Sequence, residues 1–202
     1  MSIPFKRKIA QKFHRFFALT FVLFTLTSCL GKPNNVEVIK KIDANQYLGA
    51  WYEIARLDHS FERGLEKVIA TYEARQDGGM QVINRGFNPK TNKWEEAIGK
   101  AYFIDPANAD GTRTGKLKVS FFGPFYGAYN IIALDQNYYN YVMVCGPNLD
   151  YLWILARTPQ LTYPIKQELI SKAKALGFAT EKLIHVKQAG EIIQYKAGPH
   201  VN

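Results

Sequence analysis

The chain has little of what would commit it to several common chemistries. It contains two cysteines, Cys29 and Cys145, and four histidines in 202 residues. Cys145 sits in "YVMVCG", an apolar, strand-like run where a thiol serves as a small buried hydrophobe. If Cys29 is modified, no intramolecular disulfide can form. Ser-x-Gly elbows and paired metal-ligand spacings are missing, and with them the signatures of serine hydrolases and zinc sites. Asn108 to Gly111 reads as a loop, and no glycine-rich phosphate cradle opens a helix, so neither cofactor nor metal is expected. The leading apolar stretch, Phe16 to Leu26, falls short of the ~20 residues that a spanning helix needs.

What is present at the start is an address. Lys6, Arg7, Lys8, Lys12 and Arg15 precede the apolar stretch with no acidic residue among them, and small residues follow, the order of a secretory leader. Without those five cations the formal charge drops from +9 to about +4. An excess that small, spread without basic blocks, makes a poor nucleic-acid footprint. Leu26-Thr27-Ser28-Cys29 resembles the lipobox of bacterial lipoproteins. There the cysteine thiol is acylated, as with palmitate, and becomes the new N-terminus. By the same resemblance, Leu30 rather than Asp after the cysteine implies sorting to the outer membrane. The expected organisation is a signal peptide at 1–28, a lipidated N-terminus and polar tether at 29–45, one domain at 46–188, and a tail at 189–202.

Within the domain, apolar and polar residues alternate over short segments punctuated by turns. "YLGAWYEIAR" opens the set. "VIATYE" (68–73), "MQVINRGF" (80–87), "WEEAIGKAYF" (94–103), "KLKVSFF" (116–122), "AYNIIALD" (128–135), "YVMVCG" (141–146) and "YLWILAR" (151–157) complete eight strands. Only afterwards do Ile165, Leu169, Ala173 and Leu176 recur at helical spacing, and Gly177 ends that helix. Eight consecutive antiparallel strands with local connections suit an up-and-down barrel, which has no sheet edge and room for one small ligand. A β-sandwich is the rival all-β answer.

Parity selects the inner faces. Leu117, Val119 and Phe121 share one side of their strand. Ala97, Gly99, Ala101 and Phe103 share another, and their small side chains leave space. Tyr129, Ile131 and Ala133 group together, as do Tyr151, Trp153 and Leu155, Ala70 with Tyr72, and Val82 with Asn84. Such a surface, apolar and aromatic with a few polar atoms, suits an amphiphile. A filled core has the same composition, and parity leaves the two open. The site residues expected on this basis are Glu53, Tyr72, Asn84, Ala101, Phe121, Tyr129, Ile131, Tyr151 and Trp153. Glu53, on the side of Trp51, would be a buried carboxylate needing a partner or a raised pKa.

Trp51 begins the first strand and Arg157 ends the last. Barrel closure makes these strands neighbours and lets the guanidinium lie across the indole, while Gly49 lets the preceding chain turn tightly. At these residues the chain resembles the lipocalins. Gly49-Ala50-Trp51 matches the family's Gly-x-Trp motif, Asp135 with Tyr141 its middle motif, and Arg157 its closing arginine. The likeness spans about Gln46 to Gln188, and its bacterial outer-membrane branch and apolipoprotein D are the nearest in pattern. It implies an eight-stranded calyx with a short helix under the closed end and a C-terminal helix outside. By the same likeness Gly49, Trp51 and Arg157 are structural.

The expected function is binding of fatty acids or lysophospholipids for lipid storage or transport in the cell envelope, by a protein held to the membrane through Cys29. The alternative is a structural envelope lipoprotein with a filled barrel. "LDHSFERGLEK" (57–67), with Asp58, His59, Glu62 and Glu66, reads as a solvated loop at the mouth rather than as acid–base machinery, so no catalysis is expected. In "FFGPFYG" (121–127), Phe122, Phe125 and Tyr126 cannot all point inward, and a homodimer is one way to cover them. The tail at 189–202 has no functional reading; it is either disordered or an added strand through "EIIQY".

Overall fold

A computed structural model describes residues 30–188. Cys29 and "EIIQY" lie outside the described residues. Eight strands wind antiparallel in sequence order: β1 (Gly49–Arg56), β2 (Glu66–Ala74), β3 (Met80–Asn88), β4 (Lys93–Phe103), β5 (Lys116–Phe122), β6 (Phe125–Leu134), β7 (Tyr141–Cys145) and β8 (Leu152–Ala156). β1 closes the barrel by pairing with β2 along Gly49–Tyr52 and with β8 along Tyr52–Arg56. Beyond Tyr52 it parts from β2, and the short β9 (Ile184–His185) pairs with its end. Gln188 finishes the seam, its side-chain amide donating to the carbonyls of Glu53 (2.8 Å) and Val68 (2.9 Å).

Strand boundaries fall within a residue or two of the alternation, β2 starting at Glu66 rather than Val68, except in β6, which begins at Phe125 rather than Ala128 because Phe125 pairs with Phe122 across a two-residue turn. Two bulges break the parity. In β1 the register shifts between Glu53 and Ala55, so Glu53 faces Leu155 and Arg56 faces Trp153 inside the barrel, while Ile54 and Ala55 both face out. In β6 the shift between Ile131 and Ala133 moves Ala133 out of the interior group where strict alternation would keep it. A bulge adds one residue to one strand and inverts every side chain beyond it.

Outside the wall, α2 (Tyr163–Ala175) buries Leu169 and Ala173 against Ile54, Ile132, Met143 and Ile154. Full burial of a leucine side chain stabilises by ~1.5–3 kcal/mol. Pro164 sits in its first turn, where no backbone donor is missed, and Gly177 (φ 87°) ends it in the left-handed region. The stretch read as a tether is packed instead. Val36 and Ile42 are fully buried, the Ile39 amide donates to the Ile131 carbonyl (2.9 Å), and Ile42 exchanges bonds with Arg113 (2.8 Å each way). Its polar composition hid three apolar side chains that the wall needed.

Candidate functional site

The closed end is built around Trp51. Asp43 caps α1 (Ala44–Tyr47) by accepting from the Asn45 amide (2.9 Å), and Gly49 then turns the chain with φ 93°, a conformation that costs other residues dearly. Trp51 is fully buried and donates through Nε1 to the Tyr47 carbonyl (2.9 Å). The Arg157 guanidinium lies 3.8 Å from the indole centroid. Its nitrogens donate to the carbonyls of Ala50 (2.8 Å), Leu48 (2.8 Å) and Gln46 (2.7 Å). Asp135 and Tyr141 also come together. The Asp135 amide donates to the Tyr141 carbonyl (3.0 Å), and its carboxylate accepts from Asn137, Tyr138 and Asn140.

Above this floor three tyrosines join. The Tyr47 and Tyr129 hydroxyls are 2.6 Å apart, and Tyr72 donates to Tyr129 (2.8 Å). Burial pushes all three phenols above their ordinary range. Around them Tyr72, Ala101 and Ile131 are buried and packed against Leu117, Val82 and Met80. The upper half differs. The inward-facing Phe121, Tyr151, Trp153 and Asn84 are only half-buried, as is Tyr129 at the boundary between the halves, and Ala97, opposite Asn84, is exposed. The Asn84 Oδ1 atom is buried and accepts no hydrogen bond from the described residues. The expected residues thus separate into a packed lower group and an accessible upper group.

Glu53 reaches neither group alone. It is 2 % exposed and accepts from Arg56 Nη1 at 2.5 Å. Arg56, 1 % exposed, also donates through Nη2 to the carbonyls of Glu62 (2.8 Å) and Leu65 (3.2 Å). The first loop is not solvated at these points, which corrects its reading as a polar rim. His59 and Glu62 are 5 % and 6 % exposed. The loop's carbonyls fold down onto Arg56, and His59 stacks on Phe61 with ring centres 3.9 Å apart, beside Trp153 at 5.0 Å. Trp153 Nε1 donates to Glu62 Oε2 (3.2 Å), and His59 Nε2 lies 3.3 Å from the same oxygen.

Burial, then the Glu62 charge, holds the Glu53 carboxyl well above the usual range despite Arg56. Burial also works against ionisation of Glu62, but His59, the Glu53 proton and Trp153 outweigh it and keep this carboxyl low. The two carboxyls are thus pushed in opposite directions beside one guanidinium. Arg56 was missed because strict alternation points it outward, whereas His59 and Glu62 were noticed but read as part of a solvated loop. The available signal was the buried Glu53, which needed a cation, with Arg56 three residues on.

This arrangement can fix a polar group beside the half-buried aromatic side chains of the upper wall. Cys145 is buried in the outer wall, and burial pushes its thiol up to about 12, so no thiolate is available at neutral pH.

A family model described as a lipocalin-like domain matches residues 42–188. Outer membrane lipoprotein Blc of Citrobacter freundii is 55% identical over 159 residues, covering 78% of this chain and 86% of that protein. The Blc of Vibrio cholerae is 50% identical over 163 residues, with coverages of 81% and 92%. Apolipoprotein D of Rattus norvegicus is 34% identical over 151 residues, covering 69% and 75%. Among solved structures, insecticyanin of the tobacco hornworm Manduca sexta superposes with a TM-score of 0.61 at 23% identity, covering 79% of this chain and 88% of that one. At that identity the likeness speaks for the fold.

Proposed function

The chain belongs to the lipocalin family, and from that premise we propose that it binds small amphiphilic lipids, fatty acids or lysophospholipids, in the upper half of its barrel. Lipid on Cys29 holds it at the outer membrane, the location named for its Blc relatives. The observation that carries this reading is the division of the interior. A packed floor ends at three tyrosine hydroxyls, and above it Phe121, Tyr151, Trp153 and Ala97 leave an accessible apolar wall. The acyl chain lies along that wall. The unpartnered Asn84 oxygen and the Glu53–Arg56–Glu62 group are the polar atoms in reach of a head group. Storage or transport in the envelope is the role such a binder serves.

Trp153 lines the proposed chamber, Trp51 lies beneath it and Trp94 sits on the outer wall beside Arg85. A brominated fatty acid or lysophospholipid should therefore quench part of the emission saturably, and Trp153→Phe should remove that part. The second reading, a filled barrel acting as an interaction module, draws on the tight packing of Tyr72, Ala101 and Ile131. Unsaturable quenching, together with no lipid released from the purified protein in native mass spectrometry, would put it first.

A further inference from the structure

The described chain begins at one end of the barrel, not at an arbitrary point of its wall. Asn130 Nδ2 donates to the Gly31 carbonyl (3.0 Å) and to the Gly146 carbonyl (3.1 Å). Gly146 follows the upper end of β7, where the chain crosses the rim to β8. From Gly31 the chain descends through Ile39 beside Ile131 and Ile42 beside Arg113 to the floor helix α1. Gly31 is thus at the rim, two residues after Cys29 in the sequence. Because residues 31–42 are bonded to the wall, they give the anchor no slack.

The same end carries three exposed phenylalanines. Phe122 (83 %) and Phe125 (74 %) form the tip of the β5–β6 hairpin, and Phe61 (59 %) crowns the first loop. Exposed large side chains at the floor are Ile104, Tyr138 and Tyr163, two of them with a hydroxyl to keep in water. Exposed phenylalanine on a loop tip favours the boundary between head groups and acyl chains.

We infer that the barrel sits mouth-down, with Phe61, Phe122 and Phe125 docked into the membrane surface that the lipid on Cys29 reaches. A lipid then passes from bilayer to chamber without crossing water. This inference rests on the anchoring and lipid-binding reading above and adds the orientation and the contact residues.

The test uses the full-length, lipidated chain in vesicles of phosphatidylethanolamine and phosphatidylglycerol. Cys29 is acylated and Cys145 is buried, so a thiol-reactive fluorophore reports only on introduced sites. Phe122→Cys and Phe61→Cys are the mouth sites, and Tyr138→Cys is the floor site. Lipids brominated near the head group should quench the mouth labels and leave the floor label unaffected. In a second arm, Phe122→Ser with Phe125→Ser should slow uptake of a fluorescent fatty acid from the vesicles about tenfold and leave its equilibrium affinity in detergent unchanged. Quenching at Tyr138→Cys, or at none of the sites, would overturn the inference. So would mouth labels shielded by a second copy and crosslinking to it. Failure of the chain to sediment with vesicles would remove the anchor and the inference with it. Absence of fatty-acid affinity in detergent would remove only the ligand, leaving the label result to decide orientation.

Discussion

Arg157 at the floor and Arg56 below the mouth are held by the wall of the same barrel, but their acceptors differ in kind. Arg157 gives its donors to three backbone carbonyls and its face to Trp51. None of those partners titrates. Arg56 is bonded to the Glu53 carboxyl and to loop carbonyls, with Glu62 and His59 alongside. Its Nε and His59 Nδ1 are buried without hydrogen-bond partners among the described residues, while His59 Nε2 lies 3.3 Å from Glu62 Oε2. The floor holds its guanidinium with acceptors that do not change charge. The mouth cluster is charged, and its two carboxyls are pushed in opposite directions beside one guanidinium.

The largest effect should come from the floor. Trp51→Ala removes a fully buried indole and should cost about 3–5 kcal/mol in urea unfolding. Arg56→Met should cost about 3 kcal/mol at neutral pH, because it leaves a buried carboxylate without its cation. That loss should shrink in acid, where the carboxyls take up protons. Arg157→Met should cost about 1 kcal/mol and show no such dependence, since its acceptors are carbonyls. Equal pH profiles for the two arginine variants would erase the contrast.

The carboxyl pair gives a sharper test. The proton of Glu53 is held above its ordinary value of 4.5, so that stabilisation is complete below pH 4.5 and is lost as pH rises toward the folded value. Glu62 is lowered, so its contribution is present above 4.5 and is lost as acid passes the folded value. Glu53→Gln should therefore remove a decline in stability on the alkaline side of at most about 1.4 kcal/mol per pH unit. Glu62→Gln should instead flatten the acid limb, which thermal unfolding across pH would resolve. The smallest effect is Gly49→Ala, expected to cost about 1 kcal/mol, since φ is 93° and the added Cβ would meet Arg157 Nη1 at 3.4 Å. A denaturation midpoint unchanged by that substitution would show the turn to be freer than its geometry implies.

The floor was legible in the sequence because its parts are fixed by position. A glycine two residues before a tryptophan on one strand, and an arginine at the end of the strand that must neighbour it, leave little choice. The eight strands were equally legible, because alternation and turn residues are local. The mouth was not, because a bulge leaves no local mark and reverses parity, taking Arg56 inside; a second bulge near the lower end of β6 likewise takes Ala133 outside. The first loop misled for a related reason. His59 and Glu62 look solvated beside Asp58 and Arg63, and only the loop's return across the barrel, with its carbonyls on Arg56, buries them. Among the expected site residues, alternation chose a common face but not a depth. Depth separates the packed Tyr72, Ala101 and Ile131 from the accessible Phe121, Tyr151 and Trp153.

That separation is the central claim, and one pair of substitutions tests it directly. Ala97 and Ala101 share the inner face of β4, yet Ala97 is exposed and Ala101 is 2 % exposed. A fatty acid and a lysophospholipid would be titrated into Ala97→Trp and Ala101→Trp, with stability measured alongside. Ala97→Trp should abolish saturable binding at unchanged stability, and Ala101→Trp should lose about 1–3 kcal/mol through overpacking. Undiminished affinity in a folded Ala97→Trp would contradict the account, because the ligand could not then occupy the upper half of the barrel.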